Sequence, residues 1–303
     1  MLYNYFSLFA VFFINLFFYC KNKKTFIVIL KDIRITRTIH FLMMVVSGIL
    51  IAGKTQPLII DFQKFYEIFF TLISVFYAVV YSTISNNFAD IKIDSISNPG
   101  RPLPKQSVDA GEYSKAGKII LVLSLFFGLT ASFKIFIVSF LFMFFYHIYS
   151  KPPIRFKRFF IISKICISIN SMILSFAGYL IFKNNLESYP AIFICFFLIV
   201  LTLVINFIDL KDFDGDKADN IKTIPVVFGL KNAKIICGFF FIFTYIIAAF
   251  EFVPLIITGF FQYYFINKKK YNEHYVFITY LISLTILFIY FLIQWNIKII
   301  FTN

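Results

Sequence analysis

An all-α integral membrane bundle is the fold class this sequence predicts, and three observations predict it. Of its 303 residues 60% are hydrophobic and only 15% charged, where an ordinary soluble domain carries roughly a quarter charged. The mean hydropathy is +0.84. Apolar runs long enough to cross hydrocarbon, which takes about 20 residues of helix, recur along almost the whole chain. So little is left for an extramembrane domain that any chemistry must sit in the bundle or its connections.

The elements follow in order. Apolar spans are expected near 36–53, 65–85, 118–132, 135–149, 159–182, 190–208, 224–250, 252–267 and 275–297, nine in all. Ahead of them the apolar run from Leu2 to Cys20, followed by Lys21, Lys23 and Lys24, is either a tenth span or a signal-like segment. It has no charged stretch before it and no small-residue cleavage site, which favours its retention. Residues 1–33 are therefore set apart as an N-terminal apolar segment and basic linker, with 34–303 as the main bundle. The 46 Phe accompany a general excess of Ile, Lys and Asn and by themselves indicate no function. Cys20, Cys166, Cys195 and Cys237 lie in apolar runs without a CxxC pair and read as free thiols.

Lys and Arg set the orientation. Twenty-three of them fall on one set of alternating connections and five on the other, with Lys164 inside a span. Cytoplasmic connections retain positive charge, so the rich set is expected on the cytoplasmic side of the cell membrane. The net charge of +14 then reads as topology and contact with anionic lipid. Nucleic-acid binding is not needed to explain it, and the loops contain no recognisable nucleic-acid module.

Only 15 acidic residues occur, and seven lie in two short segments that both begin at the cytoplasmic ends of spans. In the first, Asn86, Asp90 and Asp94 are spaced i, i+4, i+8; in the second, Asp209, Asp212 and Asp216 are spaced i, i+3, i+7. On continuous helix each set lines one face. Two facing stripes of hard oxygen ligands suit magnesium, which binds one or two carboxylates and completes its shell with water and substrate phosphate oxygens. Asp212, Asp214 and Asp216 imitate the start of an EF-hand loop, but Lys217 and Thr223 stand where that loop needs Gly and Glu. Basic segments lie on the same side. Arg101 follows the first stripe in Asn98-Pro99-Gly100-Arg101-Pro102, and Tyr149 to Arg158, with Lys157, follows the fourth span. Arg37 begins the first span and Lys222 follows the second stripe. Any of these reads equally as an ordinary positive connection or as a phosphate ligand.

Together these residues resemble the UbiA superfamily of intramembrane prenyltransferases. Its first motif, NDxxDxxxD, is matched from Asn86 to Asp94 except that Asn87 takes the second, acidic place; its second, DxxDxxxD, is met by Asp209, Asp212 and Asp216. The resemblance extends from Arg34 onward. It implies a nine-helix UbiA-like bundle around a cavity, extended by any N-terminal helix, and an enzyme that moves a prenyl group from a polyprenyl diphosphate to a small lipophilic acceptor. It implies Mg2+ near Asn86, Asp90, Asp94, Asp209, Asp212 and Asp216. Arg37, Arg101, Tyr149, Lys157 and Lys222 would then stand near the diphosphate or the developing charge. Aromatic and quinone precursors, tetrapyrroles and ether-lipid precursors are all acceptors in the superfamily, and the sequence does not choose among them or fix an oligomeric state. If Asn87 approaches the metal, restoring its acid is expected to tighten magnesium binding modestly. The reading from another class is a polytopic cation transporter or channel. Acids at one face and spans that look uninterrupted argue against it.

Overall fold

The computed structural model describes residues 2–248 and 252–302. Helices Ile35–Gly53, Phe62–Ala89, Ala110–Ala131, Phe133–Ser150, Ile162–Phe182, Ala191–Leu210, Leu230–Ala248, Val253–Asn267 and Glu273–Gln294 are the first to ninth spans. Among the described residues eight helices are long and apolar enough to cross a membrane; Val253–Asn267, with 15 residues, is the short one. At 1.5 Å per residue it rises about 22 Å, less than the hydrocarbon thickness.

Several boundaries differ from expectation for local reasons. The third span begins at Ala110, well before its apolar run, because the Asp109 side chain accepts from the Glu112 amide at 2.9 Å and caps the helix there. Asp61 does the same for the second span through Lys64 N at 2.7 Å. The seventh span was expected over 224–250, but a short helix, Ile224–Phe228, comes first. Gly229, at φ 79, breaks the chain in a conformation open to glycine before Leu230 resumes. The end expected at 249 and 250 lies outside the described residues. Nor is the sixth span uninterrupted: a π turn at Phe197–Leu201 and a 3-10 stretch at Ile205–Leu210 divide it.

Small and hydroxylic residues hold the spans together, as they must where lipid removes the hydrophobic drive between helices. A Cβ on Gly48 would meet Ser175 O at 1.8 Å, and one on Gly178 would meet Val45 O at 1.8 Å. The first and fifth spans therefore touch backbone to backbone. Ser74 Oγ donates to Ser124 O at 2.7 Å and Ser124 Oγ to Ser74 O at 2.9 Å, a reciprocal clasp of the second and third spans. Many large apolar side chains, Phe133, Phe239 and Phe260 among them, are exposed on the bundle's outside, as lipid-facing residues would be.

The N-terminal segment docks on this frame. Helices Leu2–Lys21 and Lys23–Asp32 lean on the second and third spans, with Asn22 Nδ2 donating to Glu112 Oε2 at 2.9 Å. At the end of the bundle away from the acids, β1 (Leu58–Ile60) and β2 (Ile299–Phe301) pair in parallel, in the register Leu58 to Ile299.

Candidate active site

The second span's helix breaks at Asp90, where φ is −109 and ψ 17, and resumes as Ile91–Ser97. Backbone bonds nonetheless run Asp90 N to Asn86 O at 2.9 Å, Asp94 N to Asp90 O at 2.8 Å and Asn98 N to Asp94 O at 2.8 Å. The stripe survives the break with a fourth member, Asn98. Its amide donates to Asp94 Oδ1 at 2.9 Å and to Asp212 Oδ1 at 2.8 Å, joining the two motifs directly. The second motif is not one helix: Asp209 lies in the 3-10 stretch and Asp216 in a separate helix, Phe213–Ala218. Gly215 lets that helix close on the first motif. A Cβ there would fall 2.7 Å from Ile93 O, and its N–H donates to Ser97 Oγ at 2.9 Å.

The two segments wall a cavity of about 910 Å³, counting its mouth. Asn86, Asp90, Asp94, Asp209, Asp212 and Asp216 all line it, as do Arg37, Arg101, Tyr149 and Lys157. Lys222 does not. Ile221 and Thr223 on either side of it are buried, and the extended chain between them turns Lys222 outward to an exposed position. Asn87 is also absent from the cavity. It is fully buried on the other side of the helix, where it donates to Asp32 Oδ2 at 2.6 Å and accepts from Arg34 at 3.1 Å.

Two cations at the site are not marked out by the sequence: Lys164, which lines the cavity, and Arg155, which does not line it but holds Asp90. Lys164, in the fifth span, donates to Asp209 Oδ1 at 2.6 Å. Its only signal was a lone charge within an apolar run. Arg155, held at φ 47, reaches Asp90 Oδ1 at 3.2 Å and Asp219 Oδ2 at 3.0 Å, while Lys157 takes Asp90 Oδ2 at 2.7 Å and stands 3.9 Å from Asp216. Burial alone would raise the Asp90 carboxyl, but Lys157 and Arg155 outweigh it and hold the group below its usual range. Burial raises Asp94, and it pushes Asp216 up to about 7 against the pull of Lys157, with Asp209 and Asp212 adding their repulsion.

The donor set fits magnesium. Asp94 Oδ2, Asp209 Oδ2 and Asp216 Oδ1 are buried without a hydrogen-bond partner, and their side chains border one cavity. Buried carboxylate oxygens left without a hydrogen bond are costly, so a hard cation is a natural complement. Among the described residues no three Asp, Glu, His or Cys side chains stand grouped so as to hold a metal ion by themselves. Magnesium needs no such group, since water and substrate phosphate ordinarily fill most of its shell. Away from the acids the cavity is lined by Phe41, Ile167, Ile205, Phe207 and Phe277, with His40 between Ser171 Oγ and Tyr280 OH at 3.0 Å each.

Comparison with known proteins follows the same lines. The model described as the UbiA prenyltransferase family matches residues 41–267. Digeranylgeranylglyceryl phosphate synthase of Methanobrevibacter smithii is 25% identical over 67% of this chain and 71% of its own. Homogentisate phytyltransferase of a Synechocystis species is 28% identical over 50% of this chain and 52% of its own. Among solved structures, a UbiA homolog from Archaeoglobus fulgidus bound to DMAPP and Mg2+ superimposes with a TM-score of 0.62 at 18% identity, over 88% of this chain and 99% of that one.

Proposed function

This chain belongs to the UbiA prenyltransferase family, and from that premise we propose that it transfers a prenyl group from a polyprenyl diphosphate to a lipophilic acceptor, using magnesium held between its two acidic segments. The observation that carries the proposal is the trio of oxygens without a hydrogen bond on Asp94, Asp209 and Asp216, contributed by both segments to one cavity. Asn86, Asp90 and Asp212 complete the set, directly or through water. Magnesium, when bound, supplies neutralisation of the leaving diphosphate.

The chain's own residues do the rest. The allylic C–O bond breaks with its electron pair leaving on the diphosphate, and an electron-rich carbon or oxygen of the acceptor bonds to the carbon and then loses its proton. Lys157, Arg37 and Arg101 present N–H donors to the phosphate oxygens at the polar end, where guanidinium forks match them best. Tyr149 adds a buried hydroxyl. Lys164 fixes Asp209 by its ion pair, leaving the second oxygen free. The prenyl chain lies along the apolar lining, where the ring faces of Phe41, Phe207 and Phe277 stabilise positive charge on its first carbons and water is excluded.

We place the site end at the cytoplasmic face of the cell membrane on the strength of the uneven Lys and Arg distribution. A purified preparation given magnesium, geranylgeranyl diphosphate and a panel of acceptors tests the function, with prenylated product read by mass spectrometry. Product should form, and should vanish on chelation. Absence of any prenylated product across aromatic, tetrapyrrole and glycerolipid acceptors would count against the reading.

A further inference from the structure

Asp32 ends the helix Lys23–Asp32 and takes no part in the mechanism above, yet its carboxylate joins that helix to three other parts of the fold. Oδ2 accepts from Asn87 Nδ2 in the second span at 2.6 Å and from Tyr113 OH in the third at 3.1 Å. Oδ1 accepts at 3.2 Å from Arg101, in the turn that follows the first acidic segment. The Asp32 side chain is only 9% exposed. Nothing local favours a carboxylate there, because the last turn of a helix attracts cations and repels anions. The helix is also held at its other end, where Asn22 Oδ1 caps Thr25 N at 3.1 Å and Asn22 Nδ2 donates to Glu112 Oε2 at 2.9 Å. Ile29, about one turn before Asp32, is buried.

The pairing matters because of where Arg101 stands. It lines the cavity together with Asp94, whose carboxyl feels its charge and whose Oδ2 has no hydrogen bond. Among the described residues Asp32 is the only hydrogen-bond partner of the Arg101 side chain. That bond engages one N–H of the guanidinium and leaves the others for phosphate oxygens. Released from it, a long side chain on a turn must be ordered afresh by each donor, and it is drawn onto Asp94 Oδ2 in competition with magnesium. We propose that Asp32 is a positioning residue of the donor site, holding Arg101 ready for the diphosphate and away from the metal's acid. The N-terminal helices, which lie outside the matched residues 41–267, are on this account a working part of the active site. The inference rests on the prenyl-transfer reading for the identity of the donor.

Donor affinity separates this role from that of a brace that only stabilises the fold. Full-length protein in detergent with magnesium is titrated calorimetrically with geranylgeranyl diphosphate, and the unfolding of each variant is followed alongside. Asp32→Asn should weaken donor binding about tenfold. Tyr113→Phe removes a different bond to the same carboxylate and leaves Arg101 paired, so it should lose stability yet keep donor affinity within about twofold of the parent. Asp32→Asn combined with Asn87→Asp sets a carboxylate beside Arg34 again without returning one to Arg101, and should bind donor as weakly as Asp32→Asn alone. That double variant carries the test if the single one does not fold. With Arg101→Gln already in place, Asp32→Asn should weaken binding by no more than about a further twofold. Donor affinity that is unchanged or tightened by Asp32→Asn, an equal loss in Tyr113→Phe, or a loss of about tenfold added to that of Arg101→Gln overturns the positioning role. A parent protein that does not bind geranylgeranyl diphosphate in magnesium defeats the reading of function instead, and the role of Asp32 falls with it.

Discussion

Asn87 replaces an acid of the first motif, and the contacts around it show where the missing charge went. Asp32, from the helix before the first span, brings its carboxylate to 2.6 Å from the Asn87 amide, and Tyr113 OH donates to the same oxygen at 3.1 Å. The side chain points away from the cavity, which overturns the expectation that an acid here would tighten magnesium binding. Asn87→Asp instead sets a carboxylate at a fully buried position against that of half-buried Asp32, and the single contact from Arg34 at 3.1 Å offsets only part of the repulsion and desolvation. It should cost about 2 kcal/mol, read as unfolding in mixed micelles, and Asp32→Asn in the same chain should restore most of the loss. A single variant as stable as the parent would contradict this. Asp90→Ala or Asp212→Ala should lower turnover on the order of a hundredfold or more, measured as product per minute. Asp109→Ala, by contrast, should leave turnover intact and cost about 1 kcal/mol of stability through its lost helix cap. Equal loss of turnover in all three would remove any special role for the acidic stripes.

Individual helices explain what could and could not be read beforehand. The acidic stripes were legible because their spacing, i+4 and i+3, persists across a helix break, held by backbone bonds such as Asp94 N to Asp90 O. The sixth span's irregularity was not legible, because Phe197-Leu198-Ile199-Val200-Leu201 is featureless apolar sequence for an α or a π turn alike. In the sequence Asp32 falls within the N-terminal segment and Lys164 stands as an isolated charge, because only tertiary packing supplies their partners. The π turn carries one residue more than α-helix would, and it lies a short way before Asp209. Deleting the exposed Ile199 removes that extra residue, so regular helix should re-form with the residues after it facing much as they do now. Asp209 then keeps Lys164, and turnover should stay within about threefold of the parent. A loss of about a hundredfold, in a variant that still purifies as a folded monodisperse species, would show instead that the π turn itself aims the acid.

Over the whole molecule, alternate connections gather at the two ends of the bundle, acids and cations at one and the β1–β2 pair at the other. With exposed Cys20 and Cys195 replaced, single Cys probes at Ser95 and Lys217 should be labelled from one side of sealed vesicles and a probe at Asn184 from the other. Labelling of Ser95 and Lys217 from opposite sides would rule out a shared site. The first and ninth spans meet through Arg37 and Glu273, through His40 and Tyr280, and beyond their ends through β1 and β2. Each of these ties joins residues separated by most of the chain, and that has a consequence in time. During synthesis the first span enters the bilayer long before its partner exists, so Arg37 and His40 wait through the insertion of everything between. The cavity wall, with its Phe277 and Tyr280, is completed only when the ninth span arrives, and a nascent chain stalled before that moment holds both acidic segments yet has no finished cavity around them.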